Sequence, residues 1–301
     1  LNTINEILIS YSISDNTPFG NQDFNFVWNG ELESLETEII NLETLDLNQG
    51  SREMEVTVSI ENDAYESNNS KSVIFQVNDD HPPQSVMTFE TSSDRLLEVA
   101  EFGTKNWEFG VPIGTNLNTA SSGTKVYGTN LDGNYSDNSK TYLYTPCYDL
   151  SNLSEPILKF DMAFDIELDW DLLYMEFSID QGENWSILGS YNDPNWYNSS
   201  RISGDGINNN CYNCVGGQWT GTQTEMQEYS YNLSTISNND NIIFRFVFHT
   251  DEYVNEEGII IDDLVIEGTV LSTNDFESKS VTVYPNPSKN VFNISLDNMS
   301  K

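Results

Sequence analysis

Positive charge is scarce in this sequence. Lys and Arg number 12 against 48 Asp and Glu, a formal net charge of −36. A chain with so few cations has nothing with which to neutralise phosphates, which argues against nucleic acid as a partner and excludes an anionic membrane surface. Histidine is scarcer still, at two residues: His81 lies in Asp79-Asp80-His81-Pro82-Pro83 and His249 ends an apolar run. No nucleophile elbow or metal-protease helix motif accompanies them. Carboxylate pairs are too frequent in a chain this acidic to single out a glycosidase pair. Three cysteines are too few for a disulfide scaffold. No hydrophobic run reaches the length of a membrane span, so membrane insertion is not expected. The chain opens at Leu1 without an initiating Met or a signal peptide, and it is expected to be a fragment of a longer protein.

What the sequence has instead is alternation of period two, the signature of half-buried strands. Ile7, Ile9, Tyr11 and Ile13 share one face, and Phe24, Phe26 and Trp28 repeat the pattern. Met54, Val56, Val58 and Ile60 follow, then Val73, Phe75 and Val77. No segment carries a convincing helical period; Leu35–Leu47 comes closest, but its turn-rich flanks favour strands. Two consecutive prolines at 82–83 interrupt the pattern and stiffen a joint. Beyond them Phe160, Met162, Phe164 and Ile166 alternate with Asp161, Ala163 and Asp165, and Leu173, Met175, Phe177 and Ile179 with Tyr174, Glu176 and Ser178. Ile242, Phe244, Phe246 and Phe248 line a further strand. The expected class is all-β: an immunoglobulin-like sandwich over 1–79, a linker over 80–86, a larger jelly-roll sandwich over 87–268, a linker over 269–280 and a short β segment over 281–301.

The run Gly258-Ile259-Ile260-Ile261-Asp262-Asp263-Leu264-Val265-Ile266-Glu267 reads as a central strand of the larger unit. Neighbours in a strand point to opposite faces, so Asp262 and Asp263 cannot both face solvent from one side. One of them needs a partner, either a metal or backbone N–H groups. The acidic cluster Asp165, Glu167, Asp169 and Asp171 reads first as a solvated edge or loop, with a metal site as the alternative. Trp196 and Tyr197, with Trp219 after Gly216-Gly217-Gln218, lie in amide-rich loops. Flat rings there suit contact with a sugar or a protein ligand, and these three are the candidate ligand-binding residues. The competing reading folds the loops over the sandwich and buries the rings. Cys211-Tyr212-Asn213-Cys214 lacks the strand–helix setting of a redox motif. Zinc would need four ligands, with only Cys147, His81 and His249 to add. A local disulfide between Cys211 and Cys214 is expected in an exported protein, leaving Cys147 buried after Pro146.

Three resemblances extend this reading. Trp28-Asn29-Gly30, the Gly50–Ile60 strand and Glu66-Ser67-Asn68-Asn69 give the first unit a layout that resembles the adhesion-related sandwich modules of bacterial surface proteins. Trp107-Glu108-Phe109-Gly110, the string Ser122–Tyr135, Tyr142-Leu143-Tyr144-Thr145-Pro146, the Ser178–Trp185 turn and the Ile261-Asp262-Asp263 strand resemble jelly rolls of the MAM and cleaved-adhesin kind. That resemblance implies binding or packing rather than catalysis, downstream of a hydrolase such as a secreted peptidase. It also implies a structural calcium held by Glu90, by Asn130 or Asp132, and by Asp262 or Asp263. The tail Tyr284-Pro285-Asn286-Pro287, with Phe292, Ile294 and Leu296, resembles the opening of a type A sorting domain of the Bacteroidetes type IX secretion system. It implies that machinery as a partner and a secreted or outer-membrane surface location. The alternative expectation is a stand-alone surface adhesin that binds glycan or protein.

Overall fold

The computed structural model describes residues 3–14, 21–204, 211–271, 281–284 and 293–296. Strand follows strand throughout, and the one helical element among these residues is a 3-10 turn at Glu66–Asn68. No described helix is long and apolar enough to cross a membrane.

Strands β1 (Ile4–Ile13), β2 (Gln22–Leu32), β3 (Gly50–Ser59) and β4 (Ser70–Val77) form one antiparallel sheet in the order β2-β1-β3-β4. The period-two pattern puts Ile9, Tyr11 and Ile13 on the buried face, at 6% exposure or less. All four strands belong to this single sheet, and Leu35–Leu47, expected as strands, carries none. Leu35 and Ile39 there are almost fully exposed. Glu33, Glu36, Glu38, Glu43 and Asp46 are spread among the apolar residues of this stretch, which leaves no continuous face for a second layer to bury.

The larger unit is a sandwich of two five-stranded antiparallel sheets. Its strands are β5 (Leu97–Phe102), β6 (Trp107–Gly110), β7 (Val126–Thr129), β8 (Lys140–Tyr148) and β9 (Leu153–Asp165). They continue as β10 (Leu172–Ser178), β11 (Ser186–Ile187), β12 (Thr222–Asn232), β13 (Ile242–His249) and β14 (Gly258–Val270). One sheet runs β11-β10-β13-β8-β5 and the other β12-β9-β14-β7-β6. Between them Phe160, Met162 and Phe164 meet Leu173, Met175, Phe244, Phe246, Phe248, Ile259 and Ile261, none more than 1% exposed. Each such side chain contributes roughly 1.5–3 kcal/mol by leaving water.

Strand β14 is central, third of five. Its pairing with β9 skips from Asp262 opposite Asp161 to Val265 opposite Lys159, a β-bulge at Asp263-Leu264. Asp263 takes the left-handed φ of 48° that the bulge requires. The bulge turns Asp262 fully inward and leaves Asp263 half-buried. The 80–86 linker is no free joint: His81 N–H donates to Cys147 O, Gln84 N–H to Ile266 O, and Met87 pairs with Leu264 in both directions. At the far end, β15 (Val281–Tyr284) and β16 (Asn293–Leu296) pair as an antiparallel hairpin. Of the sorting-motif residues, Tyr284, Ile294 and Leu296 fall in it, while Pro285, Asn286, Pro287 and Phe292 lie outside the described residues.

Candidate functional site

Trp196, Tyr197 and Trp219 are core residues, not a ligand platform: they are 3%, 5% and 0% exposed. The loops carrying them fold back over the sandwich, with Trp219 paired to Leu173 and Ser199 to Gln218 through the backbone. Ring centroids lie 4.5 Å apart for Tyr197 and Trp219, and 5.0 Å for Trp196 and Trp219. Polar tips are satisfied inside: Trp196 Nε1 donates to Leu188 O, Trp219 Nε1 to Trp196 O, and Tyr197 Oη to Met175 O. Burial of the loops against β9 and β12 leaves no ring face for a sugar.

The residues expected to hold calcium do not come together as one ligand set. Glu90 accepts N–H donors from Thr124 and Lys125 at 2.7 Å each. Asp262 accepts Ser121, Ser122 and its neighbour Asp263 at 2.8–3.0 Å. Asp263 accepts the Ser122 hydroxyl. Asn130 belongs to another loop, where its Nδ2 donates to Asn134 O, and Asp132 is exposed beside it. Among the described residues no three His, Cys, Asp or Glu side chains form a metal group. The carboxylates pin the 121–125 segment with backbone donors, so the donor set as arranged does not fit calcium. Melting with and without a chelator should give the same midpoint; a drop of several degrees on chelation would show that these carboxylates hold a cation after all.

A different place in the sandwich gathers chemistry. The loops between β7 and β8, β9 and β10, and β13 and β14 meet the Cys211–Cys214 loop around a groove of about 700 Å³. Trp170, Tyr212, Tyr253 and His249 supply rings to its lining, Glu167, Asp251 and Glu252 supply carboxylates, and Asn138, Asn213 and Thr250 supply neutral polar groups. Tyr212 and Tyr253 are 61% and 71% exposed. The Trp170 and Tyr212 rings lie 5.6 Å apart, tilted by 40°. Cys211 and Cys214 are disulfide-bonded and bury against Leu172, two residues after Trp170, which fixes Tyr212 beside that ring. Cys147 is a free, half-buried thiol, and burial pushes it up to about 11, too high for a reactive thiolate.

Beneath the groove sits a buried tie. Tyr135, 1% exposed, donates its hydroxyl to Asp171, itself 1% exposed, and accepts Glu167 N–H at 3.2 Å. Asp171 also accepts Asp251 N–H at 2.7 Å. Three of the loops forming the groove are thereby joined through one carboxylate. Burial raises Asp171 to about 7, with Asp251 and Glu167 adding to the rise while the two hydrogen bonds oppose it. Glu167 is raised too, first by burial and then by the charges of Asp251, Glu256 and Asp137. Burial lowers His249 to about 4, so its ring is neutral at pH 7.

The sequence had placed Glu167 and Asp171 in a solvated cluster, and had not marked Trp170, Tyr212 or Tyr253. One signal was available: each of the three sits outside the alternating strand pattern and next to an acidic residue or a cysteine, in Asp169-Trp170-Asp171, Cys211-Tyr212 and Glu252-Tyr253. Asp165 and Asp169 proved to be engaged elsewhere, Asp165 with Asn116 and Thr222 and Asp169 with Arg201.

No family model matches the chain. A stretch of 169 residues, 56% of the chain, is 32% identical to bacillopeptidase F of Bacillus subtilis (strain 168). That stretch covers 10% of the relative, so the chain spans about a tenth of its length. Among solved structures, the K1 cleaved adhesin domain of Lys-gingipain from Porphyromonas gingivalis W83 is 14% identical, covering 62% of this chain and 98% of that one at a TM-score of 0.36. A carbohydrate-binding module of the β-sandwich superfamily is 9% identical, covering 88% and 92%, at a TM-score of 0.35. At such identities and scores these two likenesses say nothing about ligand or activity.

Proposed function

We propose that residues 87–268 are a non-catalytic binding module of a secreted or surface-attached multidomain protein, placed downstream of a hydrolase, a peptidase by preference. The observation that carries the binding part is the loop-end groove, where exposed rings stand beside carboxylates and amides on a disulfide-anchored loop. Flat rings beside polar groups are what recognition surfaces use, whether for protein or glycan. Support for the peptidase setting is the shared 169-residue stretch, which is about the length of the jelly roll and only a tenth of bacillopeptidase F. A segment of that proportion suits an accessory module better than a catalytic domain.

The test is to titrate the chain with peptide and oligosaccharide probes while following tryptophan fluorescence and probe integrity. We expect saturable binding that Tyr212→Ala and Tyr253→Ala weaken, with no probe consumed. Reducing Cys211–Cys214 should also weaken binding while the fold survives, because a loop this short adds little by closure alone. Turnover of a probe, abolished by substitution in the groove, would overturn the non-catalytic reading.

Export through the type IX secretion machinery belongs to the same proposal and rests on the Tyr284–Leu296 motif and its hairpin. A two-stranded hairpin is marginal alone in water, so this one needs partners to bury its apolar residues. A reporter carrying the segment that begins at residue 271 and contains the Tyr284–Leu296 motif should reach the surface of a Bacteroidetes host. A reporter retained in the periplasm would remove the sorting assignment.

A further inference from the structure

The lining of the loop-end groove has one sign of charge. Glu167, Asp251 and Glu252 supply carboxylates, and none of the described residues lining it is Lys or Arg. Its histidine does not substitute, since burial holds His249 neutral. The cations of the larger unit that form ion pairs do so elsewhere: Lys140 with Glu101, Lys159 with Glu267, Arg201 with Asp169 and Arg245 with Glu176. The groove's negative field is therefore met by no positive side chain among the described residues lining it.

The same molecule shows what completes such a site. On the outer face of the β11-β10-β13-β8-β5 sheet, the Arg245 guanidinium lies 3.9 Å from the Trp185 ring centroid and 4.1 Å from that of Tyr142. Its Nε donates to Glu176 at 2.7 Å and Nη1 to the Tyr144 hydroxyl at 3.0 Å. Two ring faces, a carboxylate and a tyrosine thus hold one planar cation. The loop-end groove presents the same components, Trp170, Tyr212 and Tyr253 with three carboxylates, and lacks the guanidinium. A neutral sugar would stack on the rings but leave the carboxylates repelling one another. An ammonium would answer the charge and could sit over one ring, whereas a flat guanidinium stacks on a ring and bonds a carboxylate bidentately at the same time.

We propose that this groove receives an arginine side chain of a protein ligand, stacked against its exposed aromatic rings and paired with the Glu167, Asp251 and Glu252 carboxylates. The inference rests on the binding-module reading and names its ligand class.

The test uses the whole chain and four probes at 50 mM salt: a blocked Gly-Arg-Gly peptide, the same peptide with Lys, the same with neutral citrulline, and a neutral tetrasaccharide. Binding is followed by tryptophan fluorescence and by NMR, with melting curves to confirm that each variant is folded. The arginine peptide should bind at least tenfold more tightly than the citrulline peptide and more tightly than the lysine peptide. Tyr212→Ala and Tyr253→Ala leave the net charge unchanged, and each should weaken it by about threefold to tenfold. Glu252→Gln should weaken it and flatten its salt dependence. If arginine and lysine peptides bind alike and the ring variants change nothing, the attraction is only that of a −36 protein, and the proposal falls. Tetrasaccharide binding that is lost in Tyr212→Ala, without arginine binding, overturns this inference but keeps the groove as a ligand site. Failure of all four probes overturns the arginine assignment, whereas the binding-module reading falls only if the broader peptide and oligosaccharide panel fails as well.

Discussion

Replacing Trp219 with alanine should destabilise the larger unit by about 3–5 kcal/mol, the cost of deleting a fully buried tryptophan. The ring is 0% exposed and lies within 6 Å, centroid to centroid, of Phe160, Trp196, Tyr197 and Tyr229. Its removal leaves a void among aromatic neighbours too rigid to close it, and it deprives Trp196 O of a donor at 3.0 Å. Since a whole domain is stable by about 5–15 kcal/mol, the loss is large enough to leave the variant partly unfolded at 37 °C. Trp219→Phe keeps most of the volume and should cost clearly less, which keeps the experiment readable. Tyr212→Ala, at a ring 61% exposed, should cost under about 1 kcal/mol. Equal losses from Trp219→Ala and Tyr212→Ala in urea unfolding would refute the separation of core rings from groove rings.

That separation marks the limit of what the sequence could reveal. Alternation located β1 to β4 and, in the larger unit, β9, β10 and β13, because period two and one buried face leave a pattern that survives without coordinates. The central place of Gly258–Glu267 was legible, as was the need of one of its two aspartates for a partner, though not which one. Which loop rings are buried was not, since Trp196 and Trp170 both sit among polar residues and the difference is made by how each loop packs on the sandwich. The bulge at Asp263 was hidden too: it comes from β14 pairing out of step with β9, a relation between segments about a hundred residues apart. The groove required four loops to meet, and no local pattern encodes that. Leu35–Leu47 failed as strands because its apolar residues had no second layer to cover, which propensity alone does not report.

The stability of the wild-type chain relative to an Asp171→Asn variant should shrink as pH rises from 5 to 8. Asp171 is raised from its ordinary 3.8 to about 7, mainly by burial. Between those values the folded chain holds a proton that the unfolded chain has released. The stability this contributes is fully present below pH 3.8 and is lost as pH climbs through about 7. Over the window from 5 to 8 the loss is on the order of 3 kcal/mol. Other groups act at the same time: Asp262, raised by burial to about 6, has the same sign, and His249, lowered to about 4, has the opposite one. Self-repulsion of a chain at −36 also grows with pH. The variant carries all of these, so the difference between the two proteins isolates Asp171. Two forces compete at that carboxyl. Desolvation and the charges of Asp251 and Glu167 favour its protonated form, whereas the Tyr135 hydroxyl and Asp251 N–H favour the carboxylate. A gap that widens with pH would mean that the hydrogen bonds win and that Tyr135 donates to a charged Asp171. A gap independent of pH would mean that Asp171 titrates alike folded and unfolded. Either outcome would show that folding does not raise the proton affinity of Asp171.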